Sequence, residues 1–175
     1  MEMSRMQPEE LEMSAIDTYL CGNANYAADF SKGNLPMPPA KKIAIVACMD
    51  ARLETGALLG LEEGDAHVIR NAGGVVTDDV IRSLTISQRL LGTREIMLIH
   101  HTDCGMLTFT DAELKETVQR ETGIRPPFAF DTFSDLEGEV QQSIARIHAS
   151  PFVPHKDAIR GFMYEVETGR LREVE

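Results

Sequence analysis

Ile43-Ala44-Ile45-Val46-Ala47-Cys48, followed at once by Met49-Asp50-Ala51-Arg52, is an apolar run that ends on a thiol, a carboxylate and a guanidinium. The run is rich in β-branched residues and does not alternate. It reads as a strand buried on both faces, the kind found inside parallel sheets. Beyond it, Leu53–Leu61 reads as a short helix closed by Glu62-Glu63-Gly64-Asp65, and Ala66–Arg70 as a second strand. Asn71-Ala72-Gly73-Gly74 is a turn, and Asp78–Leu91 is a helix with Thr77 as N-cap and Gly92 as its stop. Glu95–His100 is a third strand, and it delivers His101-Thr102-Asp103-Cys104. Strands alternating with helices predict an α/β fold with a central, mostly parallel sheet flanked by helices and right-handed connections.

The remaining segments extend this core. Pro8–Phe30 reads as one or two helices, with Leu11, Ile16, Leu20, Tyr26 and Phe30 as a loose apolar face, and Ser31–Pro39 as a stiff loop. Thr110-Asp111-Ala112-Glu113 and Ser134-Asp135-Leu136-Glu137 have the form of capping boxes. They open helices to about Glu121 and Ala149, the second with Val140, Ile144 and Ile147 as its apolar stripe. Between them Thr122–Phe133, with Pro126-Pro127 and three Phe, is a loop or lid. Ile159–Val166 and Leu171–Val174, joined through Gly169, read as a C-terminal hairpin. The expected organisation is a single domain over 1–175, with an N-terminal helical arm at 1–35 and the α/β core at 40–175.

Ligands of open α/β sheets bind beyond the carboxyl ends of the strands. Cys48, Asp50, Asn71, His101 and Cys104 all fall there. Two thiolates and an imidazole suit zinc, and three protein ligands leave the fourth position open, the mark of a catalytic rather than a structural site. Taken singly, Cys48 reads better as a buried thiol and His101 equally well as a hydrogen-bonded imidazole. Together with the H-x-x-C spacing they read as a metal site. His100 points to the opposite face by strand alternation. Asp50 either takes the fourth position or accepts a hydrogen bond from what occupies it, and Arg52 holds it in a fork-shaped pair. Asp103 is either a partner of this site or simply solvated. Cys21 reads as a small buried or half-buried hydrophobe, and the methionines near the N-terminus as helix packing. Gly73-Gly74 lets the backbone approach the site; no phosphate-loop pattern accompanies it.

Composition bounds the partners. A chain of 175 residues with 43% apolar content supports one domain with a real core. A net charge of -11 argues against nucleic acid and against an anionic membrane surface. No stretch is long enough to span a bilayer. Three cysteines without a signal-peptide core fit a reducing, cytoplasmic setting.

Ala47-Cys48-Met49-Asp50-Ala51-Arg52, Arg70-Asn71-Ala72-Gly73 and His100-His101-Thr102-Asp103-Cys104-Gly105 together resemble the motifs of the β-class carbonic anhydrases. The likeness runs from about residue 15 to the end and is nearest to the short bacterial members. It implies zinc on Cys48, His101 and Cys104, with Asp50 a possible fourth ligand at lower pH. It also implies an Asp50–Arg52 dyad, and a pocket that includes Asn71, Ala72, Gly73 and Gly105. The implied reaction is reversible hydration of carbon dioxide to bicarbonate and a proton through a zinc-bound hydroxide. The implied assembly is a homodimer, or a dimer of dimers, whose N-terminal helices wrap the partner. The regulatory bicarbonate site that some members build around a Trp is not expected, because the chain has no Trp. Two alternatives stand beside this reading. One is a carbonyl sulfide or carbon disulfide hydrolase of the same fold. The other is a non-catalytic zinc-binding or bicarbonate-sensing module, against which an intact Asp50 and Arg52 argue.

Overall fold

A computed structural model describes residues 13–175, which fall into two compact units, one up to Leu35 and the other Pro36–Glu175. The first contains helix α1 (Ala15–Ala28), opened by a complete capping box between Ser14 and Asp17. The part of the expected N-terminal helices that precedes residue 13 lies outside the described residues. Helix α1 buries none of its side chains, and Ile16, Tyr19, Leu20 and Tyr26 are all exposed. This corrects the expectation for Cys21: its thiol lies on this exposed helix and is at the surface. Met13 and Met37 are likewise exposed rather than packed.

The second unit is built on five strands: β1 (Ile43–Cys48), β2 (Ala66–Asn71), β3 (Glu95–His101), β4 (Ile159–Glu165) and β5 (Arg170–Val174). Their order is β2-β1-β3-β4-β5; β5 runs antiparallel to β4 and every other pair is parallel. The α/β class, the parallel core and the C-terminal hairpin are those expected from the alternating pattern. Between the strands lie α2 (Thr55–Leu59), α3 (Asp78–Arg89), α4 (Asp111–Thr122) and α5 (Leu136–Ala149). Helix α2 is shorter than the expected Leu53–Leu61, because Gly60 takes a left-handed backbone and closes it early. The expected capping box at Ser134 does not form: Asp135 is the N-cap of α5, accepting from the Glu137 amide. No helix among the described residues is long and apolar enough to cross a membrane.

Both faces of β1 and β3 are covered, which is why their sequences read as continuous apolar runs. On one face Ala44, Val46, Ile96 and Leu98 pack with Val80 and Leu84 of α3 and Ile147 of α5. On the other, Ile45, Ala47 and Ile99 pack with Leu53, Met106 and the half-buried Phe109 and Phe133. The chain leaves β1 toward β2 on one side and then crosses to β3 on the other. The carboxyl ends of β1 and β3 therefore flank the switch point where α/β sheets hold ligands.

Helix α5 carries a buried carboxylate. Glu139 is buried, accepts from Ser143 Oγ at 3.1 Å, and has its pKa pushed up from 4.5 by burial, with Asp131 adding to the rise. The folded chain thus holds a proton that the unfolded chain releases. The associated stability is fully present below the ordinary carboxylate pKa and is lost as pH rises through the raised folded value. Glu139→Gln keeps the acceptor oxygen and removes the titration. Its melting temperature is expected to exceed that of the parent at pH 7.5 and to converge with it below pH 4, as followed by circular dichroism.

Candidate active site

Cys48 ends β1 and His101 ends β3, while Cys104 follows three residues on, at the mouth of a short 3-10 turn. One ligand atom from each of the three lies within 4.8 Å of the others, and all three residues are buried. Strand alternation sends the neighbouring His100 to the opposite side. There it is fully buried, sits edge-on to Phe133 with ring centroids 6.0 Å apart, and is kept uncharged by burial, which lowers its pKa to about 4.

The donor chemistry of the cluster fits a divalent cation. His101 Nδ1 lies 2.8 Å from the Thr102 carbonyl oxygen, which can only accept, so Nδ1 carries the hydrogen and Nε2 carries the lone pair. That Nε2 is buried and has no hydrogen-bond partner. An orphaned lone pair facing two buried sulfurs is costly in an apolar interior and would be satisfied by a metal. The neighbouring Cys104 thiol pulls the Cys48 thiol toward the thiolate, and Cys104, beside that developing charge, is pushed the other way. A cation held by these residues would let both sulfurs ionise.

Arg52 organises the carboxylates. Its Nε donates to Asp50 Oδ1 at 3.0 Å and its Nη2 to Asp50 Oδ2 at 2.8 Å, the fork expected of the pair. The Arg52 amide adds a third bond to Oδ1 at 2.8 Å. Hydrogen bonds from Arg52 hold the Asp50 carboxyl well below the usual carboxylate range, so it is ionised throughout ordinary pH. Asp50 Oδ2 lies 3.7 Å from His101 Nε2, beside the space the three ligand atoms enclose.

Two residues that sequence reasoning left open or missed complete the arrangement. Asp103 takes a left-handed backbone, φ 54°, and presents both its carboxylate and its carbonyl oxygen to Arg52, at 2.7 and 3.0 Å. It is therefore a partner of the site. Arg70, quoted only within a motif, donates to the Cys48 carbonyl at 3.0 and 2.9 Å and to the Asp50 carbonyl at 2.7 Å. It ties down the turn that carries the thiol and the carboxylate. Its signal in the sequence was its place one residue before the end of the strand pairing with β1, opposite Ala47.

Above the cluster is a cavity of about 510 Å³, walled chiefly by the apolar side chains of Met106, Phe109, Leu114 and Phe130. Ala72, Gly73 and Gly105 line it, and Asn71 does not. Its side-chain amide instead donates to the Val75 carbonyl at 2.8 Å and braces the glycine turn. In that turn Gly74 has φ 74°, and a Cβ there would stand 2.9 Å from the Cys48 nitrogen and 3.1 Å from the Ile99 oxygen. Gly74→Ala forces backbone apart at Cys48. It is expected to destabilise by at least about 1–2 kcal/mol from the left-handed backbone alone, measurable by urea denaturation, and to weaken metal affinity with it.

Comparisons with known proteins agree on a family. The sequence model described as carbonic anhydrase matches residues 43–126. β-Carbonic anhydrase 1 of Mycobacterium tuberculosis (strain ATCC 25618 / H37Rv) is 61% identical over 162 residues, covering 93% of this chain and 99% of its own length. Carbon disulfide hydrolase of Acidianus sp. (strain A1-3) is 35% identical over 182 residues, 90% of this chain and 88% of its own. Among solved structures, a carbonic anhydrase from Streptococcus mutans superposes with a TM-score of 0.88 at 46% identity, covering 94% of this chain and 100% of that one.

Proposed function

The chain belongs to the carbonic anhydrase family, and from that premise we propose that it catalyses the reversible hydration of carbon dioxide to bicarbonate and a proton, with zinc held by Cys48, His101 and Cys104. The observation that carries this reading is the orphaned His101 Nε2, buried between two thiols and beside an ionised Asp50. Zinc would supply Lewis acidity there, bringing the pKa of a water toward neutrality. His101 offers Nε2 because the Thr102 carbonyl engages the other ring nitrogen. Asp50 Oδ2 accepts a hydrogen from the attacking oxygen and so aims its lone pair at the substrate carbon. Arg52 keeps Asp50 charged and turned to this task, and Asp103 keeps Arg52 from swinging into solvent. Met106, Leu114 and Phe130 present apolar walls to a linear apolar molecule.

We further read the exposed apolar side chains of α1 as the surface that a second copy covers, giving a homodimer whose mass sedimentation equilibrium measures.

The test is stopped-flow hydration of carbon dioxide by zinc-loaded protein, with carbonyl sulfide and carbon disulfide hydrolysis run beside it. Rapid carbon dioxide turnover that chelation abolishes and zinc restores is the expected result. Slow hydration with fast release of sulfide moves the chain to the hydrolase branch. Silence on all three substrates overturns catalysis and leaves a zinc-binding sensor.

A further inference from the structure

We propose that Asp111 is a positioning residue that pins Phe130 as a wall of the substrate cavity and thereby sets how tightly a linear three-atom substrate is held. The inference rests on the reading of this cavity as the reaction site.

Phe130 comes from the connection between α4 and α5, a stretch whose outer residues Ile124 and Phe128 are exposed. A connection of this length and composition has no ladder of its own to hold it. One side chain supplies the anchor. Asp111, in the first turn of α4, accepts from the Phe130 amide at 3.0 Å through Oδ2 and from the Thr132 amide at 3.3 Å through Oδ1. The Asp111 amide returns a bond to Thr132 Oγ1 at 3.2 Å. Between the two captured amides, Asp131 adopts φ 56°, a left-handed backbone that Asp tolerates better than most L-residues. A single carboxylate therefore holds both flanks of a three-residue kink. Capture of the Phe130 amide lowers the Asp111 pKa, so the anchor stays charged at working pH.

The kink turns the Phe130 ring inward. It is half-buried, lines the cavity with Leu114 of the same helix α4, and is backed edge-on by the exposed Phe128 at 5.3 Å. Asp111 and Leu114 lie one turn apart, so the residue that anchors the loop and a residue that forms the wall share one rigid element. No ligand atom or Arg52 bond depends on Asp111. Its loss is expected to loosen a wall without touching the reacting groups. A contact made equally in ground state and transition state appears in KM and not in kcat. Apolar walls discriminate by about 10–200-fold at most per methylene-sized change.

The experiment compares the zinc-loaded parent with Asp111→Ala, Asp111→Asn and Phe130→Leu. The readouts are carbon dioxide hydration, carbon disulfide hydrolysis, zinc content and amide hydrogen exchange. Asp111→Ala is expected to speed exchange at Phe130 and Thr132 about tenfold or more. It should also raise KM for carbon dioxide about three- to tenfold, leave kcat within about twofold and zinc content unchanged, and increase relative turnover of the bulkier carbon disulfide. Asp111→Asn, which keeps one acceptor oxygen, should fall between, and Phe130→Leu should reproduce the KM effect with exchange at Thr132 unaltered. Parental KM and substrate preference in Asp111→Ala overturn the proposal, as does a fall in kcat in step with zinc loss. A parent silent toward carbon dioxide overturns the reading of the site itself, a failure distinct from an active parent with unaltered variants.

Discussion

Cys104→Ser is expected to leave the chain folded and nearly free of metal. The substitution changes one atom in a buried position, so the sheet and its two apolar layers remain. The change in chemistry is large. A serine hydroxyl does not ionise near neutral pH and is a poor ligand for a borderline-soft cation, whereas a thiolate is a good one. Two protein donors then remain where three stood. Zinc content measured by mass spectrometry after dialysis against a mild chelator should fall from about one ion per chain, expected for a site with three protein ligands, to a small fraction of that. Carbon dioxide turnover should fall with it, while the far-ultraviolet circular dichroism is unchanged. A fully loaded Cys104→Ser protein would refute this ligand. Ligands that must lose protons also make affinity depend on pH. Both thiols must lose their protons to hold a metal, so metal is expected to bind more tightly as pH rises and to be released as it falls.

Asp50→Ala should give the complementary result: zinc retained, turnover lost. Asp50 touches the space between the ligand atoms but is not one of the three that converge there. Losing an oriented carboxylate that accepts a hydrogen during reaction costs about 10²–10⁴ in rate. Asp50→Asn separates orientation from charge. It preserves the shape while replacing one oxygen with a donor that opposes the Arg52 fork. Both variants should lower kcat with zinc content intact, and near-parental kcat in Asp50→Ala would remove Asp50 from the reaction. The Asp50 pKa is depressed by Arg52, so the stability this pair contributes is present at all pH above the ordinary carboxylate range. It is lost only in strong acid, as pH falls through the lowered folded value. A change in rate between pH 6 and 9 is therefore not expected to come from protonation of Asp50 while its pair with Arg52 is intact.

Much of the core was legible because its signals are local. A strand buried on both faces is apolar through its covered stretch, as Ile43–Cys48 and Ile96–Ile99 are. The caps at Thr77 and Thr110 were legible for the same reason, since each hydroxyl meets an amide three residues away. Ser134 failed where two neighbouring residues compete for one helix end: Asp135, a residue closer, wins with a carboxylate. Cys21 failed because loose apolar spacing does not say what covers a helix.

The amino-acid sequence by itself determined the strand-helix alternation, the chemistry delivered at each strand end, and the fork between Asp50 and Arg52. Each of these is set by the covalent spacing of a few residues. Only the tertiary structure decided that Arg70 holds the Cys48 turn, that Asp103 holds Arg52, that Asn71 faces the glycine turn, and that Asp111 holds Phe130. Arg70, Asp103 and Asp111 meet partners 22, 51 and 19 residues away. Such bonds depend on where the folded sheet and its loops bring donors and acceptors within hydrogen-bonding distance, and no local pattern in the chain encodes that distance.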